Sequence, residues 1–170
     1  TFDGRIMALP ETNIAEGPHL LWLRKDWIDK LGMDEPETLE EAIEIIRQFQ
    51  LKDPGNNGKG NTVGLVCHDD IVGETGYLAE YQTDIVFANF GSYPRRWVYN
   101  EEGEIVYGSV APESKEALLF MRELYQDGIL DQDFLLRSMN NISTLIIEGR
   151  CGSFFAPWWA PNNPLMESVA

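Results

Sequence analysis

Positive charge is scarce in this chain of 170 residues: 13 lysines and arginines stand against 28 aspartates and glutamates, a formal net charge of −15. Nucleic acids and anionic membrane surfaces are held by basic patches, so neither is an expected partner. Cysteine is limited to Cys67 and Cys151. Each sits in an apolar, strand-like run, which predicts two buried free thiols; a disulfide between neighbouring strands is the lesser reading. No apolar run reaches the ~18 residues of a membrane span. Histidine occurs only at positions 19 and 68, and His68-Asp69-Asp70 at a strand end is a weak pattern for catalysis. There is no Gly-x-Ser-x-Gly elbow, phosphate loop or Cys-x-x-Cys pair. The chain starts at Thr1 without a leader pattern and stops at Ala170 inside what reads as a starting helix. It is therefore expected to be an internal fragment, and missing targeting signals carry no information about location.

What is present reads as one α/β unit. The hydrophobic content of 44% is sufficient for a core, and the length suits one domain or one large lobe. Strands are expected at 3–10, 19–24, 63–67 and 151–156, with a hairpin over 97–107. Residues 11–18 read as a loop. Helices are expected over 25–31, capped by Gly32; from the capping box Thr38/Glu41 onward; over 77–90; over 112–126, with proline in its first turn; and, shorter, over 131–138 and 142–149. Leu39, Ala42, Ile43, Ile46 and Phe49 form one helical stripe, and Ala117, Leu118, Met121, Leu124 and Tyr125 another. Strands alternating with helices predict a central mixed sheet flanked by helices, with no internal linker.

The segment from Glu148 to Asn162 organises the rest. A short apolar run is stopped by Pro157 and followed by Trp158 and Trp159. In open α/β sheets ligands sit beyond the carboxyl ends of strands, so either tryptophan there is a candidate stacking wall. Two consecutive tryptophans between Pro157 and Pro161 cannot easily face one core, which weighs against both being structural. Trp22, Tyr77, Tyr81, Tyr93 and Trp97 are further aromatics at element ends. Sugar rings present C–H faces to aromatic planes and hydroxyls to polar rims. Arg24, Asn89, Arg95, Arg96, Asn162 and Asn163 are candidates for such a rim, although Arg95 and Arg96 could equally pair with acids of the same lobe.

The loop 53–62 has some of the spacing of a calcium loop: Asp53 first, Asn57 fifth, Gly58 sixth, the Lys59 carbonyl seventh and Asn61 ninth. Gly55 and Gly64 fall where the third and twelfth ligands belong. A single carboxylate supplies little charge for a hard dication, so a metal-free turn is at least as good a reading.

Four blocks in order resemble the family 1 extracellular solute-binding proteins of bacterial ABC importers, in their lipoprotein-type oligosaccharide group. These are Asp3 to Pro10, Leu21 to Gly32 with Glu35 to Glu41, the Asp53 loop, and Gly149 to Trp158. The resemblance implies one lobe, the second, of a type II periplasmic-binding-protein fold, with the first lobe and the later hinge crossings outside the chain. It implies an oligosaccharide ligand, permease partners and a secreted, often lipid-anchored parent. It places a sugar-stacking role on Trp158, puts Trp22 and Arg24 on the strand bordering the cleft, and makes Asp53, Asn57, Lys59 and Asn61 the ligands of a structural calcium in some members. The glycine at 55 and the asparagine at 61 depart from that pattern. The alternative is a carbohydrate-active enzyme or accessory carbohydrate-binding module, which needs a carboxylate pair facing the same groove as Trp158. A structural domain without ligand is expected if both Trp158 and Trp159 are buried.

Overall fold

The computed structural model describes residues 19–73, 80–162 and 165. The expected strand 3–10, the loop 11–18, the first part of the expected helix 77–90, and the candidates Tyr77 and Asn163 lie outside them.

The element order is β1 (Leu20–Leu23), α1 (Lys25–Leu31), α2 (Leu39–Lys52), α3 (Asp84–Asn89), β2 (Trp97–Tyr99), β3 (Ile105–Tyr107), α4 (Pro112–Gln126), α5 (Met139–Ile147) and β4 (Ser153–Ala156). β1 and β4 pair antiparallel, with Leu20 opposite Ala156 and Leu23 opposite Ser153. Two parallel bridges extend this layer: Val63 to Cys151, and Leu65 to Leu130. The expected strand 63–67 is thus a pair of single bridges, because its neighbours diverge after one residue each. The layer is mixed, as expected, and β2–β3 forms the separate hairpin.

Alternation along the strands sends side chains to two cores. Leu21, Leu23 and Phe155 face a cluster that includes Ile43, Ile46, Val86, Phe87, Ala117, Met121 and Leu124 from α2, α3 and α4. Trp22, Phe154 and Ala156 face the opposite cluster with Tyr81, Ile142, Leu145 and Ile146. Both faces are covered, so β4 is buried along its whole length. Each fully buried branched or aromatic side chain here contributes on the order of 1.5–3 kcal/mol. The thiols are free and buried, one in each cluster, on opposite sides of the layer. Burial pushes the Cys151 thiol up to about 12 and raises Cys67 as well.

Local signals explain the helices. Thr38 accepts from the Glu41 N–H, and the Glu41 carboxylate accepts from the Thr38 N–H. Gly32 ends α1 in the left-handed region at φ 66°. In α4 the outer members of the expected stripe, Leu118 and Tyr125, are exposed, so the buried stripe is narrower than its sequence period. The expected helix 77–90 is helical, among its described residues, only over Asp84–Asn89. Residues 131–138 form a short 3-10 turn, Phe134–Leu136, rather than a helix. There the Arg137 guanidinium turns back onto buried Asp131 at 2.6 Å, which fixes the chain where Leu130 joins the sheet. No helix among the described residues is long and apolar enough to cross a membrane.

Candidate functional site

The register of β1 against β4 gives the small sheet two unlike ends. At one, Ala156 stands opposite Leu20, and the chain leaves through Pro157 into a helical turn. Ala160 N–H bonds the Pro157 carbonyl at 3.1 Å, and Asn162 N–H bonds that of Trp159 at 2.8 Å. This turn buries Ala160 and leaves Trp158 50% exposed, so two adjacent tryptophans part company. Their rings meet edge to face, centroids 5.8 Å apart at 83°. Trp159 is half-buried, and its side chain interacts with Glu80. Burial raises the Glu80 carboxyl, and Trp159 opposes that shift. Trp22 sits one layer beneath. Its indole N–H donates to the Ala156 carbonyl at 3.3 Å, and its ring stacks on Phe154 at 6.3 Å.

His19, just before β1, belongs to this end too. Its imidazole is lowered by burial, with Asp84 pulling the other way. Asp84 is raised by burial and accepts from the Gly73 N–H at 3.2 Å. Residues 80 to 84 are held to the same edge, because Tyr81 N–H bonds the Phe155 carbonyl at 2.9 Å. Neither Glu80 nor Asp84 stood out in the sequence. Both are far from Trp158 in the chain, and no local pattern signals the return.

The other end holds Arg24, whose N–H bonds the Gly152 carbonyl at 2.9 Å. The guanidinium chelates Asp26 at 2.8 and 2.5 Å and lies 5.1 Å over the Trp27 ring. Arg24 is therefore at the far end of the strand pair from Trp158, and the structure does not bring the two together. Tyr81 is a core residue, 1% exposed, with its hydroxyl 3.0 Å from Ser143 Oγ, so it forms no part of an aromatic rim. Arg95 pairs with Asp70 at 2.5 Å. Trp97 is 71% exposed on the hairpin, beside Tyr107 at 5.3 Å. His68 Nδ1 accepts from the Asp70 N–H at 3.2 Å and lies 3.0 Å from Asp69 Oδ1, and the His68 backbone N–H bonds the Tyr81 carbonyl at 3.0 Å.

Two hollows flank the sheet. One of about 610 Å³ lies between Trp22, Lys25, Glu35, Thr38 and Asn89. An apolar one of about 260 Å³ opens between Trp22, Ile146, Phe154, Pro161 and Leu165. Trp158 lines neither of these two hollows.

The loop 53–62 is ordered by its own bonds. Asp53 Oδ1 accepts from Asn57 N–H at 2.9 Å and Thr62 Oγ1 at 2.6 Å, and Oδ2 accepts from Gly58 N–H at 2.8 Å. These bonds, that of Thr62 first, hold the carboxyl below its ordinary value. Asn57 spends its amide N–H groups on Thr62 Oγ1 at 3.0 Å and the Gly149 carbonyl at 2.9 Å. Asn61 donates to the Asn57 carbonyl at 3.0 Å, and Lys59 is exposed. The expected ligands Asp53, Asn57, Lys59 and Asn61 thus surround protein donors, an arrangement that does not fit calcium.

The two-faced mixed layer is a lobe of the type II periplasmic-binding-protein fold. The fructooligosaccharide-binding protein FusA of Streptococcus pneumoniae, solved with kestose, superposes at a TM-score of 0.68 with 24% identity, over 85% of this chain and 28% of that one. An EF-hand mutant of FusA with fructo-nystose gives 0.67 at 25% identity, over 85% and 28%. In sequence the chain is a homologue of ABC-transporter substrate-binding proteins and lipoproteins. It is 30% identical over 157 residues to the polygalacturonan/rhamnogalacturonan-binding protein YtcQ of Bacillus subtilis, 91% of this chain and 29% of that protein. It is 30% identical over 130 residues to lipoprotein LipO of the same organism, 76% of this chain and 25% of that protein. The chain thus spans less than a third of the length of these relatives. No family model matches it.

Proposed function

We propose that this chain is one lobe of a longer, two-lobed receptor that binds an oligosaccharide outside the cell, or in the periplasm, and hands it to an ABC permease. The observation that carries this reading is the half-exposed Trp158 at the carboxyl end of β4, where a flat apolar face meets solvent. Trp158 stacks on a sugar ring. Trp159, edge to face with it, sets the orientation of the turn, and Trp22 supports it from below through Ala156. Arg24 is left out, since it serves the other end of the strand. The ligand closes a second lobe over this surface and stabilises the closed state by its differential affinity. The role is binding without catalysis, in line with relatives named as binding proteins and lipoproteins. A lipid anchor on the parent protein follows the same relatives. An enzyme needs two carboxylates across a groove at Trp158; of the carboxylates at this edge, Asp84 accepts from the Gly73 N–H and Glu80 interacts with Trp159.

Tryptophan fluorescence of the full-length protein against neutral and acidic oligosaccharides tests the proposal, with Trp158→Ala alongside. A saturable shift abolished in the variant is expected. A shift that survives in Trp158→Ala moves the site elsewhere, and no shift with any sugar contradicts the ligand class.

A further inference from the structure

The two missing positions of the Asp53 loop are closed, not merely vacated. A Cβ on Gly55, the third position, would lie 2.7 Å from the Trp27 ring and 2.9 Å from the Gly149 carbonyl oxygen. A Cβ on Gly64, the twelfth, would lie 2.5 Å from the Ile129 carbonyl oxygen, which is also the acceptor for Leu65 N–H in the parallel bridge. A side chain at either site must displace backbone or the indole, so neither ligand can be restored without unpacking the lobe. The remaining donors are already used. Asp53, at φ 47°, ends α2 and takes three bonds from its own loop. Asn57 crosses 92 residues to the Gly149 carbonyl, at the turn that starts the approach to β4. We infer that residues 53–64 form a metal-independent clasp, in which Asp53, Thr62 and Asn57 do by hydrogen bonds what a bound cation does in a calcium loop: they tie the end of α2 to the α5–β4 turn.

Thermal unfolding and terbium luminescence of the full-length protein, in calcium and in chelator, decide it. The wild-type Tm is expected to be the same within about 1 °C in both. Asn57→Ala should lower Tm by several degrees, equally in both. Asn61→Ala, which removes a ninth-position donor but only one exposed bond, should be nearly silent. If Asn57→Ala does not fold, the wild-type comparison and Asp53→Ala carry the test. A calcium response or terbium signal lost in Asp53→Ala overturns the inference; one that persists in Asp53→Ala arises elsewhere and leaves the clasp metal-free.

Discussion

The two ends of the β1–β4 pair are built from the same materials, tryptophan and charge, and use them oppositely. At the Arg24 end the tryptophan is Trp27, 2% exposed, and everything comes close to it. Arg24 covers one face, Phe49 meets it edge-on at 5.2 Å, and the backbone of Gly55 and Gly152 approaches where no Cβ fits. At the other end Trp158 keeps half its surface in solvent, and the ionisable groups His19, Glu80 and Asp84 all have shifted proton affinity because they are partly desolvated. Packing that admits no added atom marks a structural end. The end with a large aromatic left uncovered at the same edge as partly desolvated titratable groups is the one the proposed function gives to the ligand.

Substitutions should separate the two. Trp27→Ala empties the packed end and should cost about 3–5 kcal/mol in chemical denaturation. Gly152→Ala overfills it, with the new Cβ 2.6 Å from Trp27 Cζ3 and 2.9 Å from Phe49. That should cost about 1–3 kcal/mol by the same measurement. Trp158→Ala should change stability by no more than about 0.5 kcal/mol while abolishing the ligand-dependent fluorescence shift. Equal stability losses for Trp27→Ala and Trp158→Ala would erase the distinction.

Proton linkage sharpens it further. The folded imidazole of His19 binds protons less well than its ordinary value of 6.5. The unfolded chain therefore takes up more protons below that pH, and stability falls as pH drops through it. Asp84 and Glu80 act in the opposite sense. Their raised carboxyls favour the folded state as pH falls through their folded values toward the ordinary ones, because over that range the folded chain is the better proton acceptor. His19→Gln should flatten the decline in Tm between pH 7 and 5, and Arg24→Gln should leave that slope unchanged.

Much of the scaffold was legible in the sequence. Helices α1 and α4 appear with the expected bounds, and the Thr38 box and Gly32 cap form, because each is decided within one or two turns of chain. The hairpin at 97–107 follows from alternation around Gly103 in the same way. What depended on distant partners was less legible. Residues 63–67 look like a strand, yet their pairing is rationed between Cys151 and Leu130. Tyr81 looked like a rim aromatic and proved to be core, because Ser143 waits for its hydroxyl 62 residues away. At the site, the exposure of Trp158 follows from its prolines, whereas Glu80 and Asp84 reach the same edge through a backbone bond to Phe155 that no local pattern announces. The resemblance put Arg24 on the strand bordering the cleft; antiparallel register puts it at the opposite end of the strand pair from Trp158.

The most direct test of this polarity is hydrogen exchange of the full-length protein with and without saturating oligosaccharide. The account predicts ligand protection over residues 157–162 and 80–84 and no change over 24–28 and 149–152. Protection confined to the Arg24 end would contradict it.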